Sequence, residues 1–134
     1  MTVKSTSLKI NTNKNFEIID ITSQINNLIN IEEGIISIFS KHSTSAIVVN
    51  ENETGLLNDL EFMLDNLISD KFSYHHDRID NNARSHLKSF LLSSSESLPI
   101  KNKKLDLGTW QSVFFIELDG PRRNRTVTLT MVGE

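Results

Sequence analysis

The chain has 134 residues, the length of a typical single domain, and its 37% hydrophobic residues are enough to build one core. Its formal net charge of -3 provides no overall positive field, which disfavours a general nucleic-acid binder. Because the chain has no cysteine, disulfide scaffolds, thiolate zinc sites and cysteine nucleophiles are excluded, and any metal must be bound by His, Asp, Glu or Asn. No apolar run approaches the roughly 20 residues of a membrane span, and no signal-peptide pattern is present, so we expect a cytoplasmic protein.

The first quarter of the sequence predicts an opening β-hairpin followed by a short helix. Residues 3–10 alternate weakly, the Asn-rich run 11–15 indicates a turn, and the apolar residues within 16–21 indicate a second strand. Helical spacing then predicts a helix over about 22–32, which Gly34 ends.

The middle of the chain predicts two strands and two helices. The β-branched runs 34–39 and 45–49 predict buried strands joined by the polar connection 40–44. Apolar residues at helical spacing over 56–68 predict an amphipathic helix, and 83–92 has the pattern of another.

The last third of the sequence is typical of strands. Residues 98–100, 110–118 and 126–132 have strand patterns, and Asp119–Pro121 indicates a turn, so we expect the chain to end in a hairpin. No internal repeat or Pro- or Gly-rich linker interrupts the sequence, which favours a single domain over residues 1–134.

All four histidines, His42, His75, His76 and His86, lie next to predicted strand ends, a loop and a helix start, where sites are commonly built. Histidine is the commonest metal ligand and titrates near neutral pH, so the group indicates metal binding or proton transfer. Their spacing matches no known ligand signature, and ordinary surface or core-rim histidines are an equal alternative for each. Within the adjacent pair, alternation allows only one ring to point inward, and we favour His76.

Three of the five arginines, Arg122, Arg123 and Arg125, follow the turn at Asp119. Planar guanidinium groups pair with phosphate or carboxylate, so this segment is a candidate anion clamp; the alternative is an exposed basic hairpin tip without a ligand. Glu117 and Asp119 lie two apart on a predicted strand and share a face, which favours a combined metal and phosphate site.

Other polar residues point less clearly to chemistry. Asn50, Glu51 and Asp59 supply further oxygen groups, although each alone is more often a cap or a surface residue. Ser43 beside His42 does not make a hydrolase triad, because the Gly-x-Ser-x-Gly elbow is absent. The five glycines form neither a dinucleotide fingerprint nor a P-loop, which excludes the common nucleotide-dependent enzymes.

Taken in order, these motifs resemble those of the YjbQ family, whose members are described as secondary thiamine-phosphate synthase enzymes. The resemblance covers roughly residues 34–133. It rests on these blocks: His42-Ser43-Thr44-Ser45-Ala46, Asn50-Glu51, Asp59, Tyr74-His75-His76-Asp77, Asn82, Ser85-His86-Leu87, Leu107-Gly108-Thr109-Trp110-Gln111, and Glu117-Leu118-Asp119-Gly120-Pro121-Arg122 with Arg125. The chain departs from the family at Ser43, where Thr is usual, and at Ser93 and Lys103, where Gly is frequent.

The resemblance implies a small α+β fold, an antiparallel sheet with two to three helices packed on it, and a homotrimer with polar clefts near its subunit boundaries. It implies a transferase that joins a hydroxymethylpyrimidine diphosphate to a thiazole phosphate and releases pyrophosphate. The alternatives are a metal-dependent hydrolase or phosphatase and a non-catalytic trimeric metal- or anion-binding module. Neither nucleic acid nor membrane is expected as a partner.

Resemblance and residue chemistry together assign three sets of site residues. The expected catalytic residues are His42, Glu51, Asp59 and Asn82. The expected substrate-binding residues, which contact phosphorylated small molecules, are Asn50, Trp110, Gln111, Arg122 and Arg125. The expected ligands of a divalent metal, zinc or magnesium, are His76, His86, Glu117 and Asp119.

Overall fold

The computed structural model describes all 134 residues, which form eight β-strands, three α-helices and one short 3₁₀ helix. The strands are β1 (Thr2–Ile10), β2 (Glu17–Asp20), β3 (Gly34–Ser40), β4 (Ser45–Glu51), β5 (Ser95–Lys101), β6 (Lys104–Leu105), β7 (Gln111–Glu117) and β8 (Arg125–Gly133). The helices are α1 (Thr22–Leu28), α2 (Thr54–Leu67) and α3 (Ala83–Leu92), and the 3₁₀ helix is His75–Arg78.

The strands form two antiparallel sheets. The larger sheet has the order β1-β8-β3-β5-β6, and the smaller has the order β2-β7-β4. Buried apolar side chains from both sheets, such as Ile36 and Leu129 from the larger and Phe115 from the smaller, belong to one core cluster. The two sheets therefore pack face to face around the main core.

Helices α2 and α3 cover the other face of the smaller sheet. Phe114 and Ile116 of β7 form a second apolar cluster, against which Leu57 of α2 and Leu92 of α3 pack. Strand β7 is thus covered on both faces, which explains its uninterrupted apolar run. The α+β fold expected from the resemblance is confirmed.

Both predicted terminal hairpins are wrong. β1 pairs with β8, whereas β2 pairs with β7, so the first two strands lie in different sheets. β7 and β8 are likewise divided between the sheets, as are β3 and β4. The turn signals between these strands are real, but each connection crosses from one layer to the other, since a strand that is apolar on both faces needs a neighbour layer on each side.

The first helix is shorter than its apolar spacing predicts. It ends at Leu28 because Ile29 adopts an extended conformation, and both Ile29 and Ile31 then enter the core. Gly34 opens β3 opposite Gly133, where a Cβ atom on either residue would lie 2.1 Å from a carbonyl oxygen of the facing chain. Glycine is required there by close backbone approach and not by helix termination.

Charged side chains connect α2 to α3. Lys88 Nζ and Arg84 Nη2 both donate to Asp65 Oδ1, at 2.8 and 3.1 Å. Hydrogen bonding from Lys88, against the opposing effect of burial, lowers the pKa of Asp65 below its usual value. Only Leu64 of α2 is fully buried, so this contact supplements a small apolar anchor. None of the helices combines the length and the apolar composition that a membrane crossing requires.

Candidate functional site

The turn after β7 is held against the loop that follows β1. Thr12 Oγ1 accepts the Arg122 backbone N–H at 2.8 Å, and the Thr12 N–H donates to the Arg122 carbonyl at 2.9 Å. Gly120 approaches so closely that an added Cβ atom would lie 2.1 Å from the Lys14 carbonyl oxygen. The loop therefore fixes the backbone from which Asp119 and Arg122 extend.

A line of hydrogen bonds joins this turn to the start of α3. Asn82 Nδ2 donates to Asp119 Oδ2 at 2.9 Å, and Arg122 Nη2 donates to the same oxygen at 3.0 Å. His76 Nε2 lies 2.9 Å from Asn82 Oδ1. Because the amide oxygen can only accept, the Nε2 of His76 carries a proton. Three predicted site residues from distant parts of the chain, His76, Asn82 and Asp119, are thus brought together.

His76 also contacts His86. The two rings meet edge to face, with their centroids 4.7 Å apart. Together they line a cavity of about 450 Å³ with Tyr74, His75 and Phe90 among its other walls. The predicted choice of His76 over His75 agrees with this geometry, since His76 is the more buried and has the side-chain partners.

A second cavity of about 460 Å³ opens on the other side of His86, and we call it the histidine cleft. Its wall comes from the connection between β3 and β4 and from α3 with the residues after it. The lining residues are Phe39, Ser40, Lys41, His42, Ser43, His86, Ser89, Phe90, Ser93 and Ser94. None of them is an acid, so the cleft is rich in N–H and O–H donors and has no carboxylate.

His42 is fixed at the edge of this cleft. Its Nε2 accepts the backbone N–H of Thr126 at 2.8 Å, while Ser45 Oγ donates to the His42 carbonyl at 3.0 Å. Burial and the nearby Arg125 guanidinium lower the pKa of His42 below the usual histidine value. The ring is therefore held in its neutral form at neutral pH.

Glu117 and Arg125 occupy positions that differ from the predicted ones. The Glu117 side chain is fully buried and forms a two-pronged ion pair with Arg125, in which Arg125 Nε donates to Oε1 at 2.9 Å. Thr12 Oγ1 and the Asp119 N–H also donate to this carboxylate, and Arg125 Nη2 donates to Thr44 Oγ1. Burial opposes ionisation of Glu117, but these hydrogen bonds outweigh it and lower the pKa of the carboxyl group.

These contacts correct two predicted roles. Both carboxylate oxygens of Glu117 are occupied by protein donors, so they are not free to ligate a metal. The Arg125 guanidinium is spent on Glu117 and Thr44, so it is not free for a phosphate. The predicted metal set is not assembled: no three or more His, Asp or Glu side chains of this chain lie close enough to hold one ion. Of that set, only His76 and His86 are in contact.

The remaining predicted residues lie at the opposite end of the smaller sheet. Glu51 pairs with Gln111 in the β4–β7 register, six positions along β7 from Glu117, or about 20 Å at the usual rise per residue. Trp110 precedes this end and is 73% exposed, so it is not a core residue.

A further cavity of about 370 Å³ lies at this end between α2 and the sheet, with mostly apolar walls. Asn50, Glu51 and Asp59 stand at its edge. One chain therefore does not bring these three residues, Trp110 or Gln111 to the histidines.

Several residues of the site carry no signal that identifies them from the sequence. Thr12 lies in the Asn-rich run and becomes important only because that loop packs on Arg122. Ser93 and Ser94 line the histidine cleft, and only the serine run itself and the unusual residue at position 93 mark them. At Ser93, φ is 75° and ψ is 159°, a backbone conformation that is essentially restricted to glycine.

The fold and this cleft define a class of small α+β proteins in which a β-sandwich carries a histidine- and serine-lined cavity beside an Asp–Arg turn. The family described as UPF0047 protein YjbQ-like matches residues 6–134, and the chain belongs to that family.

Relatives match the chain along almost its whole length. A UPF0047 protein of Methanothermobacter thermautotrophicus is 47% identical and is aligned over 100% of this chain and 95% of its own length. The UPF0047 protein YugU of Bacillus subtilis is 32% identical, over 95% of this chain and 98% of its own. The crystal structure of a YbjQ-like protein of unknown function from Sulfolobus solfataricus superposes with a TM-score of 0.94, is 38% identical and covers 99% of each chain.

Proposed function

We propose that the protein binds phosphorylated small molecules in the histidine cleft and acts as a thiamine-phosphate synthase-like transferase in the cytoplasm, as a secondary activity. The observation that carries the proposal is the lining of the cleft, which offers Lys41, His42, His86 and several serine hydroxyls but no carboxylate. Such a lining favours a multiply charged oxyanion over a cation or a neutral ligand. The motif resemblance adds the class of reaction.

In this reaction the ring nitrogen of the thiazole phosphate attacks the methylene carbon of the pyrimidine diphosphate. A C–N bond forms, the C–O bond to the diphosphate breaks, and pyrophosphate departs with the electron pair. The nucleophile needs no activation by a base, so the work of the protein is to position both substrates and to stabilise the leaving group. Lys41 and Arg122, both exposed near the cleft and the turn, are the cations that fit that task.

A divalent ion fits the chain only in part. His76 and His86 offer two imidazoles, and Asp119 is already bound by Asn82 and Arg122. Zinc or magnesium would neutralise charge on the leaving pyrophosphate, with its remaining ligands supplied from outside this chain. The histidines would hold the ion, and Asn82 would orient the ring of His76.

We also propose that the active form is a homotrimer. Several large apolar side chains of α2, α3 and the segment between them are more than half exposed: Phe62, Leu67, Phe72, Ile79, Phe90 and Leu91. A surface of this kind is usually covered by a partner. A subunit boundary would also explain why the expected catalytic residues are divided between the two ends of the smaller sheet. Sedimentation equilibrium tests this state, and a monomer at micromolar concentration contradicts it.

The direct test is an assay for pyrophosphate and thiamine phosphate with the purified protein and both precursors. Arg122→Ala is expected to lower kcat/KM by about tenfold or more, the effect of one charge-assisted contact. Arg123→Ala is the matched control, because Arg123 is the adjacent exposed arginine outside the hydrogen-bonded turn, and we expect less than a twofold change. If the wild-type protein forms no thiamine phosphate, with or without added zinc or magnesium, the transferase proposal is wrong.

The His76–His86 contact favours a second candidate, a metal-dependent hydrolase or phosphatase. It requires metal-dependent release of inorganic phosphate from a phosphomonoester, lost on chelation and in His86→Ala. If phosphorylated ligands bind without any turnover, the protein is the non-catalytic binding module instead.

A further inference from the structure

His42 has one ring nitrogen committed to the backbone and one that is not. The Thr126 N–H points at Nε2 from 2.8 Å. A backbone amide can only donate, so Nε2 must present its lone pair, and the proton of the neutral ring must be on Nδ1. The fold itself therefore selects the Nδ1–H tautomer.

The charges around His42 keep it in this state. Arg125, Lys9 and Arg122 act against a positive ring, and burial does the same, while Glu117 alone favours protonation. Glu117 is itself paired with Arg125. A proton on Nε2 would in addition break the bond to the backbone amide.

The Nδ1–H group is free to bind a ligand. It has no partner within the chain, and no side-chain nitrogen or oxygen that lacks a partner is buried, so this donor is open to solvent. His42 lines the histidine cleft, together with the Lys41 ammonium group and the hydroxyls of Ser43, Ser93 and Ser94. A neutral donor that cannot accept, placed among other donors, matches an oxyanion.

We propose that His42 is a permanently neutral hydrogen-bond donor whose Nδ1–H binds a phosphoryl oxygen of the ligand, instead of ligating a metal or transferring a proton. This assignment rests on the proposed function for the identity of the ligand as a phosphate compound. It replaces the two roles expected from the sequence, because a metal at Nδ1 would need that proton removed and Nε2 is occupied.

Two amide substitutions separate the two nitrogens. In His42→Asn the side-chain amide nitrogen occupies the position of Nδ1 and retains a donor there. In His42→Gln the amide lies at the position of Nε2, so it can accept from Thr126 but leaves no donor at Nδ1. With pyrophosphate as the probe, we expect the dissociation constant to rise about tenfold in His42→Gln and less than threefold in His42→Asn.

The wild-type protein provides a second measurement that requires no variant. Imidazole ¹⁵N–¹H correlation spectra at pH 7 are expected to show His42 as the Nδ1–H tautomer, with the Nδ1 proton shifting as pyrophosphate is added. An Nε2–H tautomer, an imidazolium ring, or equal losses of affinity in the two variants would overturn the assignment.

These measurements are independent of turnover. If pyrophosphate binds through His42 and no thiamine phosphate forms, the transferase proposal fails and this assignment holds. If the protein turns over and His42→Gln binds pyrophosphate as the wild type does, only this assignment fails.

Discussion

At the Glu117 end of β7 the charged side chains are bound to one another, whereas at the Gln111 end the polar and aromatic side chains face solvent. Glu117 is fully buried and paired with Arg125, while Trp110 is 73% exposed. The first arrangement is complete within one chain and fixes the turn and His42. The second has groups that are free to meet another molecule. The two ends thus differ in what they need: the first supports a site, and the second is open to a partner.

The largest expected effect comes from breaking the ion pair at the Glu117 end. Arg125→Met leaves a buried carboxylate without its partner, so we expect the free energy of unfolding to fall by about 3–5 kcal/mol. Arg122→Met removes an exposed pair with Asp119 and should cost no more than about 1 kcal/mol. Urea unfolding measures both. Equal losses in the two variants would show that burial does not distinguish these arginines.

Acid should affect the same end next. The pKa of Glu117 is lower in the folded chain than its ordinary value of 4.5, so its ionisation stabilises the fold above that pH. This contribution is lost as the pH falls through the lower, folded-state pKa. We expect the stability of Glu117→Gln to be lower at pH 7 and to depend less on pH below about 4.5. A curve parallel to that of the wild type would contradict the assignment; Asp20 and Asp65, whose pKa values are also lowered, keep a residual slope.

A smaller effect is expected at the two positions where the family often has glycine. Ser93→Gly should stabilise the chain by about 1 kcal/mol, because it relieves an unfavourable backbone conformation. Lys103, with φ of 62°, lies where other residues are tolerated, and Lys103→Gly should gain less. Only Ser93→Gly should also weaken pyrophosphate binding, since Ser93 lines the histidine cleft. Thermal unfolding and a binding titration of both variants check this, and a destabilised Ser93→Gly protein would disprove it.

The smallest effect on stability is expected at the Gln111 end. Trp110→Ala should change the free energy of unfolding by no more than about 0.5 kcal/mol, because the ring is exposed. Pyrophosphate binding should be unchanged as well. If turnover nevertheless falls, Trp110 contributes through a neighbouring subunit, which sharpens the contrast between the two ends. Loss of pyrophosphate binding would instead place Trp110 in the histidine cleft.

The sequence indicates the elements of this fold better than their pairing. The helical spacing behind α2 and α3 is local, so both helices form near their predicted bounds. Strand partners depend on contacts between distant segments, and therefore the two terminal hairpins are wrong. The long apolar run of β7 was the available sign of a strand covered on both faces.

The same division applies to the candidate site. The turn at Asp119 is encoded by neighbouring residues and brings Arg122 to the expected place. Arg125, only three positions later, begins an inward-facing alternation in β8, so its side chain enters the interior. Spacing along the chain does not reveal that difference, because it arises from pairing with β1 and β3.

The double coverage of β7 has a consequence for how the molecule unfolds. Phe115 faces the core between the sheets and Phe114 faces the helices, so one strand belongs to both apolar clusters. If the helices detached, one face of β7 would be exposed to water, and that exposure would weaken the sandwich as well. We expect the amide protons of β7 to exchange only in the global opening, and the helical layer and the sandwich to melt in a single cooperative transition.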